Sequence, residues 1–436
     1  MDVVKIKEEI SNILDKNTKK IIRDGEILGE NPEIGFKENK TNSFIKERFK
    51  SLKISYKDNI AITGIKADLK GRKNNSKCKV GYFAEMDALM CPNHPKANSE
   101  GITHVCGHNI QVAVLLAVLE SFVKAEINKI FDGDIAFICV PAEELIDFEY
   151  RRRLRKEKKI TFLTGKQELI YEGILDDIDM AIMSHVQVLN QTSKLVTSSS
   201  TMNGAIAKYV QYEGISAHAG KSPHLGINAL NAAIIGLQSI NALRETFREE
   251  DYIRVHSIIS RGGTVVNAVP DDVNLDLFVR AKTFKALYDI SKRVDKAFKA
   301  GGDAIGAKVN IENIPGYMPF NPNDALDTIF LENAKKILGE DKIDIGSHST
   351  GSTDMGDVSQ IIPTIHPWIH AVKGKLHGAD FEIIDPYLAY IQNAKIIAWT
   401  LIDLLANGAN KGLEIKDNSK SSMNKETWFN NWNKVI

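Results

Sequence analysis

The 436-residue sequence has little of three features that define large classes of protein. Its four cysteines, at 78, 91, 106 and 139, are too few and too scattered for the disulfide framework of a secreted domain. No apolar run approaches the ~18 residues of a membrane span, and the first residues lack the apolar core of a signal peptide. The 56 basic and 56 acidic residues balance, so no overall field attracts nucleic acid or an anionic membrane. We therefore predict a cytoplasmic protein that binds neither nucleic acid nor membrane.

Two segments depart from this even composition. The run RRRLRKEKK at 151–159 is strongly basic but carries no interleaved aromatics that would stack on bases. We interpret it as a solvated loop or helix face rather than a partner-binding patch. The last 19 residues, NSKSSMNKETWFNNWNKVI, are polar apart from their aromatics, and we predict that they form a loosely attached tail.

Strand and helix patterns alternate through the first half of the chain. The segments CKVGYFAEMDAL, GDIAFICVPAEE and IDMAIMSH are typical of buried strands, and NIQVAVLLAVLESFVKAE of a buried helix with Asn109 as its N-cap. This order predicts an α/β fold with a mostly parallel central sheet. Functional groups gather at the carboxyl ends of such strands, where Asp87, Glu143, Glu144 and His185 fall.

The middle of the chain changes character. Strand, helix, strand, strand, helix, strand follow one another between residues 205 and 314, which is the order of a ferredoxin-like module. We predict that 202–314 is an inserted domain, and that 1–201 and 315–436 together form the main α/β domain.

The segment HVCGHN places a thiol two residues from an imidazole. Cys106 and His108 are suited to zinc and related divalent ions. Alone the pair is weak evidence, but Glu144, His185 and His377, in KGKLHGADF, complete a set of S, N, O, N and N donors. Such a set can hold two metal ions that share ligands. A thiol nucleophile at Cys106 is the alternative, and it leaves the other donors unexplained.

Neighbouring carboxylates need different roles in such a site. If Glu144 binds metal, Glu143 can act as general base towards a water molecule whose pKa the metal lowers to about 7. Asp87 is the natural partner for the second nitrogen of a ligating imidazole. Glu85 fits either that role or direct metal binding.

Seven motifs in this order resemble one family across residues 20 to 405. EMDAL, HVCGHN, VPAEE, MSH, GISAHAGKSPHLGINAL, GGTVVNAVPD and LHGADF resemble the di-metal amidohydrolase/aminoacylase metallopeptidases, which include acetylornithine deacetylase, succinyl-diaminopimelate desuccinylase and glutamate carboxypeptidase. The Cys-containing amidohydrolase branch is the most similar. Within it, CGHN and GSTDMGDVS (351–359) resemble p-aminobenzoyl-glutamate hydrolase and β-alanyl-dipeptidase-like members.

The resemblance implies a zinc-exopeptidase-like catalytic domain, with 202–314 as a lid and dimerisation domain that closes over it. It implies two divalent ions, Zn, Mn or Co, and homodimers formed through the lid. The substrate would be a small amide with a free carboxylate: an N-acyl amino acid, an aminobenzoyl-glutamate-like conjugate or a dipeptide. The implied metal ligands are Cys106, His108, Glu144, His185 and His377, with Glu143 as base.

The resemblance also implies three roles on the inserted domain. His218 would stabilise the oxyanion, often from the partner subunit, and Asn267 and Arg280 would hold the substrate carboxylate or carbonyl. The alternative is a non-catalytic binding protein on the same scaffold. Three residues, Asn109, Glu85 and Met90, and the basic insertion at 148–160 depart from many relatives. None removes a ligand, so we expect them to affect substrate choice.

Overall fold

A computed structural model describes residues 2–72 and 76–436. The α-helices are α1 (Val3–Lys16), α2 (Thr18–Glu30), α3 (Asn39–Ser51), α4 (His108–Lys124), α5 (Phe148–Lys156), α6 (Gly165–Tyr171), α7 (Ala229–Leu243), α8 (Phe284–Ile305), α9 (Asp324–Leu338), α10 (Met355–Ile361), α11 (Asn393–Leu405), α12 (Asn410–Asn418) and α13 (Lys425–Asn433). The strands are β1 (Tyr56–Ile60), β2 (Gly64–Leu69), β3 (Lys79–Glu85), β4 (Leu89–Met90), β5 (Ile102–Thr103), β6 (Asp134–Val140), β7 (Met180–Ile182), β8 (His185–Val188), β9 (Val196–Thr197), β10 (Gly204–Glu213), β11 (Arg254–Arg261), β12 (Asp272–Ala281), β13 (Lys308–Tyr317), β14 (Ile343–Asp344), β15 (Thr364–Ile365), β16 (Trp368–Lys373) and β17 (Glu382–Ile383).

The central sheet has the strand order β1-β2-β6-β3-β7-β15. The pairs β6–β3, β3–β7 and β7–β15 are parallel, and β1–β2 and β2–β6 are antiparallel. Strands β3 and β6 are buried at every residue, as expected for strands covered on both faces. The predicted α/β fold with a mostly parallel sheet is confirmed.

Helix α4 packs on this sheet, and its N-cap lies two residues earlier than predicted. Gly107 precedes it in the left-handed conformation (φ 86°), and a Cβ at that position would lie 2.3 Å from the Val186 side chain. Only glycine fits this turn. Asn109 is therefore inside the helix rather than its N-cap, and its Nδ2 donates to the carbonyl oxygen of Gly25 at 2.9 Å.

The chain divides into two compact units. The first consists of Met1–Ser200, Asn321–Ser347 and Asp357–Lys425, and the second of Thr201–Phe320, His348–Gly356 and Glu426–Ile436. The second unit contains an antiparallel sheet of order β11-β12-β10-β13 with helices α7 and α8. Its elements follow the predicted order β-α-β-β-α-β. The unit continues beyond the predicted end at 314 to Phe320 and also includes His348–Gly356 and Glu426–Ile436, which the prediction placed in the main domain.

The C-terminal segment is packed, so the prediction of a loose tail is wrong. Helix α13 carries Trp428 and Trp432, both fully buried. The ring of Trp432 contacts Phe284 edge-on, with centroids 5.9 Å apart. Residues four apart lie on one helix face, and two indoles bury enough apolar surface to fix a short helix.

The basic run is also only partly solvated. Arg151 is 1% exposed and Leu154 is buried, whereas Lys156, Lys158 and Lys159 are exposed. The interpretation as a solvated face is thus wrong for Arg151. Among residues 2–72 and 76–436, no helix combines the length and apolarity that a membrane crossing requires.

Candidate metal centre

The ends of several strands of the first unit meet at one place. Asp87 follows β3, Glu143 and Glu144 follow β6, and His185 begins β8 directly after β7. Cys106 lies in the turn before α4, and His108 is the first residue of that helix. His377 follows β16, and its backbone N–H donates to the carbonyl oxygen of Val105 at 2.8 Å.

The donors predicted from the sequence converge. The Sγ of Cys106 lies 3.4 Å from Nε2 of His185 and 3.4 Å from Nε2 of His377. The Nε2 of His377 lies 3.1 Å from Oε1 of Glu144. Ligand atoms lie within 4.8 Å of one another in three groups, which are Cys106–His108–His185, Cys106–Glu144–His377 and Glu85–His108–Glu143. Cys106 and His108 are each common to two of them. The Nε2 of His108 has a single lone pair, whereas a thiolate sulfur has several, so only Cys106 can serve two ions at once.

Backbone partners set the tautomers of two of these imidazoles. His185 Nδ1 lies 2.7 Å from the carbonyl oxygen of Val186, which assigns its proton to Nδ1. His108 Nδ1 lies 2.8 Å from the carbonyl oxygen of Asp87 and 3.2 Å from its Oδ1. In the neutral form of both rings, Nε2 therefore points its lone pair into the cluster. The Nε2 of His108 is buried and makes no hydrogen bond with any described residue, although Glu85 Oε2 lies 3.1 Å away.

The electrostatics of the cluster favour a cation. Burial raises the pKa of the Cys106 thiol well above its usual range, and the carboxylates of Glu144 and Glu143 raise it further. Burial lowers the pKa of His185 to about 4. Burial also opposes the charged form of His108, but the carboxylates of Glu85 and Asp87 outweigh it and raise the pKa to about 9. Lone pairs and carboxylates that face one another in a buried site repel unless positive charge lies between them. The donor set therefore fits divalent metal ions.

The carboxylates differ in how they are held. Asp87 Oδ2 accepts the backbone N–H of Glu144 at 2.9 Å, so Asp87 links the His108 ring to the Glu144 backbone. Burial raises the pKa of Glu144, but the His377 imidazole more than offsets this and holds it below its usual value. Glu143 is buried beside Glu85 and His108.

The network around Glu85 has no signal in the sequence. Lys166, fully buried on α6, donates to Glu85 Oε1 at 2.5 Å, and Gln111 Nε2 donates to Oε2 at 2.8 Å. Burial raises the pKa of Glu85, but the Lys166 ammonium and the His108 imidazole lower it to well below its usual range. Lys166 is 81 residues from Glu85, and only the fold joins them.

The other predicted site residues lie in the second unit. His218 and Asn267 are exposed, and the backbone N–H of Ala219 donates to the carbonyl oxygen of Asn267 at 2.9 Å. The Nη1 of Arg280 donates to Ser352 Oγ at 2.7 Å. The structure thus brings the five metal donors, Glu143 and Asp87 together in one unit, and holds the remaining three residues in the other.

A mostly parallel sheet with this donor cluster at its strand ends defines a metallohydrolase-like α/β protein. Residues 82–397 match the model of Peptidase family M20/M25/M40, and the chain belongs to that family. The predicted family is thereby confirmed, as is the prediction that the chain is an enzyme of the hydrolase class.

Relatives cover most of the chain. A Xaa-Arg dipeptidase of Mus musculus is 28% identical over 344 residues, which is 75% of this chain and 70% of the relative. A hippurate hydrolase of Campylobacter jejuni is 26% identical over 381 residues, which is 83% and 91% of the two chains.

Solved structures share the fold. The aminobenzoyl-glutamate utilization protein of Klebsiella pneumoniae superposes with a TM-score of 0.68 at 15% identity, over 90% of this chain and 98% of that one. A dinuclear metal-binding peptidase of the M20 family from Bacillus subtilis gives 0.65 at 18% identity, over 90% and 99%.

Proposed function

We propose that the protein hydrolyses the amide bond of an N-acyl amino acid, an aminobenzoyl-glutamate-like conjugate or a dipeptide, with a free carboxylate on the leaving amino acid. The observation that carries this proposal is the convergence of five metal donors beside the buried carboxylate of Glu143. The names of the relatives, a Xaa-Arg dipeptidase and a hippurate hydrolase, support the substrate class.

Cys106, His108, Glu144, His185 and His377 would hold two divalent ions, and Cys106, common to two donor groups, would be shared. Such ions supply Lewis acidity that polarises the amide carbonyl and acidifies water. The mixture of S, N and O donors accepts Zn, Mn or Co. Asp87 fixes the ring of His108, and Lys166 holds Glu85 against the same ring.

Glu143 is the proposed general base. It takes the proton of the attacking water and passes it to the leaving amine. Because Glu143 is buried, this transfer takes place in a low-dielectric site, where charge interactions are strong. Burial also limits the conformations that its carboxylate can adopt.

His218 is proposed to stabilise the oxyanion. Its Nδ1 accepts the backbone N–H groups of Gly220 at 3.2 Å and Lys221 at 3.0 Å, so the neutral ring carries its proton on Nε2 as a donor. Arg280, held by Ser352, and Asn267 are proposed to bind the substrate carboxylate or carbonyl.

A homodimer formed through the second unit is proposed, with His218 acting across it. Strand β11 is an edge of its sheet, and Ile258 and Ile259 on it are exposed, as are Val265 and Val266 beyond its end. Exposed apolar side chains on an edge strand are typical of a pairing surface. Sedimentation of a fully active monomer would exclude a trans-acting His218. The four free cysteines support the proposed cytoplasmic location.

The direct test reconstitutes the protein separately with Zn²⁺, Mn²⁺ and Co²⁺. Each form is assayed against N-acyl amino acids, dipeptides and aminobenzoyl-glutamate. We expect hydrolysis of at least one class, abolished by chelation and restored by metal. A metal-loaded protein inert towards the whole panel would instead favour a binding protein on this scaffold.

A further inference from the structure

The turn that carries Glu143 has an unusual backbone. Ala142 has φ 54°, a left-handed conformation that residues with a Cβ rarely adopt. Its backbone N–H donates to Oε1 of the buried Glu38 at 2.8 Å. Such a conformation persists only where its surroundings hold it, and here the turn sets the direction of the next two side chains.

The guanidinium of Arg151 donates hydrogen bonds to the same turn. Its Nη1 donates to the carbonyl oxygens of Ala142 at 3.4 Å and Leu163 at 2.5 Å, and its Nη2 donates to that of Glu144. One guanidinium therefore binds the carbonyl oxygens on both sides of Glu143. The guanidinium carbon, Cζ, lies over the Phe36 ring, 5.3 Å from its centroid.

Burying the charge of Arg151 is energetically unfavourable, so a contribution to stability alone does not account for it. Arg151 is 1% exposed, and no carboxylate of the described residues lies within ion-pair distance. A buried charge without a counter-ion is unfavourable unless strong hydrogen bonds compensate for it. Here those bonds go to the backbone that carries the proposed base and a metal donor. Arg151 is the first residue of the basic run 151–159.

We propose that Arg151 is a positioning residue that fixes Glu143 and Glu144 through their backbone. The inference rests on the proposed function for its effect on turnover, but not for its effect on metal binding. If this is correct, weakening the hydrogen bonds of Arg151 lowers the affinity for the metal that Glu144 would hold. It also displaces the carboxylate of Glu143, although the ligands and the base are unchanged in sequence.

Two variants loosen the contact independently. Arg151→Gln removes the guanidinium that donates through Nη1 and Nη2. Lys156→Gln, at an exposed position on the same helix, is its control. Gly35→Ala keeps Arg151 in the sequence but displaces its side chain. The new Cβ at position 35 would lie 2.4 Å from Nη2 of Arg151 and 2.7 Å from Cα of Ala142. Lys40→Ala, an exposed position five residues further along the chain, is its control.

The Mn²⁺ dissociation constant is measured by chelator competition, and kcat and KM at saturating Mn²⁺. We expect Arg151→Gln and Gly35→Ala each to weaken Mn²⁺ binding about 10-fold and to lower kcat about 10- to 100-fold, with KM changing far less. Millimolar guanidinium should restore part of kcat to Arg151→Ala, which a general loss of folding would not permit.

Unchanged Mn²⁺ affinity and kcat in both variants would overturn the proposal, as would equal losses in the two controls. If Arg151→Gln does not fold, the Mn²⁺ affinity and kcat of Gly35→Ala test the proposal by themselves. An inactive wild-type protein would refute the proposed function instead, and Mn²⁺ affinity alone would then judge the role of Arg151.

Discussion

The two sheets of this protein bury their residues differently. Strand β3 of the first unit is buried at all seven residues, whereas β12 of the second unit alternates buried and half-buried residues along its length. The site residues follow the same contrast, since Glu143 and His108 are buried and His218 and Asn267 are exposed. A strand covered on both faces delivers its terminal side chains into a low-dielectric region, where charges interact strongly and metal ions resolve conflicts between them. We therefore expect substitutions in the donor cluster of the first unit to alter metal binding and turnover. Comparable substitutions in the buried core of the second unit should alter only the free energy of unfolding.

Loss of the proposed base should have the largest effect. Glu143→Gln should lower kcat by about 10³-fold, because general acid–base catalysis contributes roughly 10²- to 10⁴-fold. Bound metal should be retained, as measured by elemental analysis beside steady-state kinetics. Glu149→Gln, an exposed glutamate six residues later, should be indistinguishable from wild type. Near-normal turnover by Glu143→Gln would remove the assignment of the base.

Loss of the shared thiol should come next. Cys106→Ser should reduce the affinity for both ions by more than the roughly 10- to 100-fold that loss of an outer partner costs, because Sγ belongs to two donor groups. Metal content after dialysis measures this. Cys139→Ala, at a buried cysteine on β6 outside the three groups, should keep its metal. Equal retention by both variants would contradict a thiol-bridged site.

A buried lysine of the second unit should affect stability and leave metal binding unchanged. Lys208 is buried on β10 and donates to Asp295 Oδ1 at 2.6 Å and Ser291 Oγ at 2.7 Å. Lys208→Met should lower the free energy of unfolding by about 3 kcal/mol, because it leaves the partly buried Asp295 and the buried Ser291 without their cation. Metal affinity should not change. Lys285→Met, at an exposed position, is the control for denaturant unfolding. Altered metal affinity in Lys208→Met would break the contrast between the units.

A buried acid away from the cluster gives the smallest effect. Burial raises the pKa of Asp327 to about 6, against hydrogen bonds from Ser199 that lower it. The folded state then binds this proton more tightly than the unfolded state, whose pKa is near 3.8. Its stabilising contribution is present below about pH 4 and is lost as pH rises through 6. Relative to Asp327→Asn, wild type should lose about 2 to 3 kcal/mol of stability between pH 4 and 7.

Urea unfolding of the metal-free protein at both pH values tests this prediction. Asp303→Asn, an exposed position, controls for a change in net charge. Parallel pH profiles for wild type and Asp327→Asn would show that the carboxyl does not titrate differently on folding.

Local pattern was enough to predict much of the fold. The apolar segments that became β3, β6 and α4, and the alternating strands of the second unit, carry their burial in their own residues. Chemistry-bearing residues at predicted strand ends, with the order of the motifs, indicated the donor cluster. These signals are local, or depend on a sheet whose parallel strands end together.

The rest depended on contacts between distant parts of the chain. Nothing beside Lys166 or Arg151 in the sequence indicates that each is buried, since a basic residue is usually solvated. Trp428 and Trp432 gave a helical spacing in a polar segment, but the surface that buries them belongs to another part of the chain. The N-cap prediction failed because the left-handed Gly107 begins the helix two residues earlier, which leaves Asn109 inside it.

A crystal structure of the metal-loaded protein, with anomalous scattering recorded at the metal edge, tests the central claim most directly. With Zn²⁺ we expect two peaks in the first unit, both about 2.3 Å from Sγ of Cys106, with the imidazoles of His185 and His377 on the same cluster. A thiol turned away from both imidazoles, with no peak between them, would contradict the account.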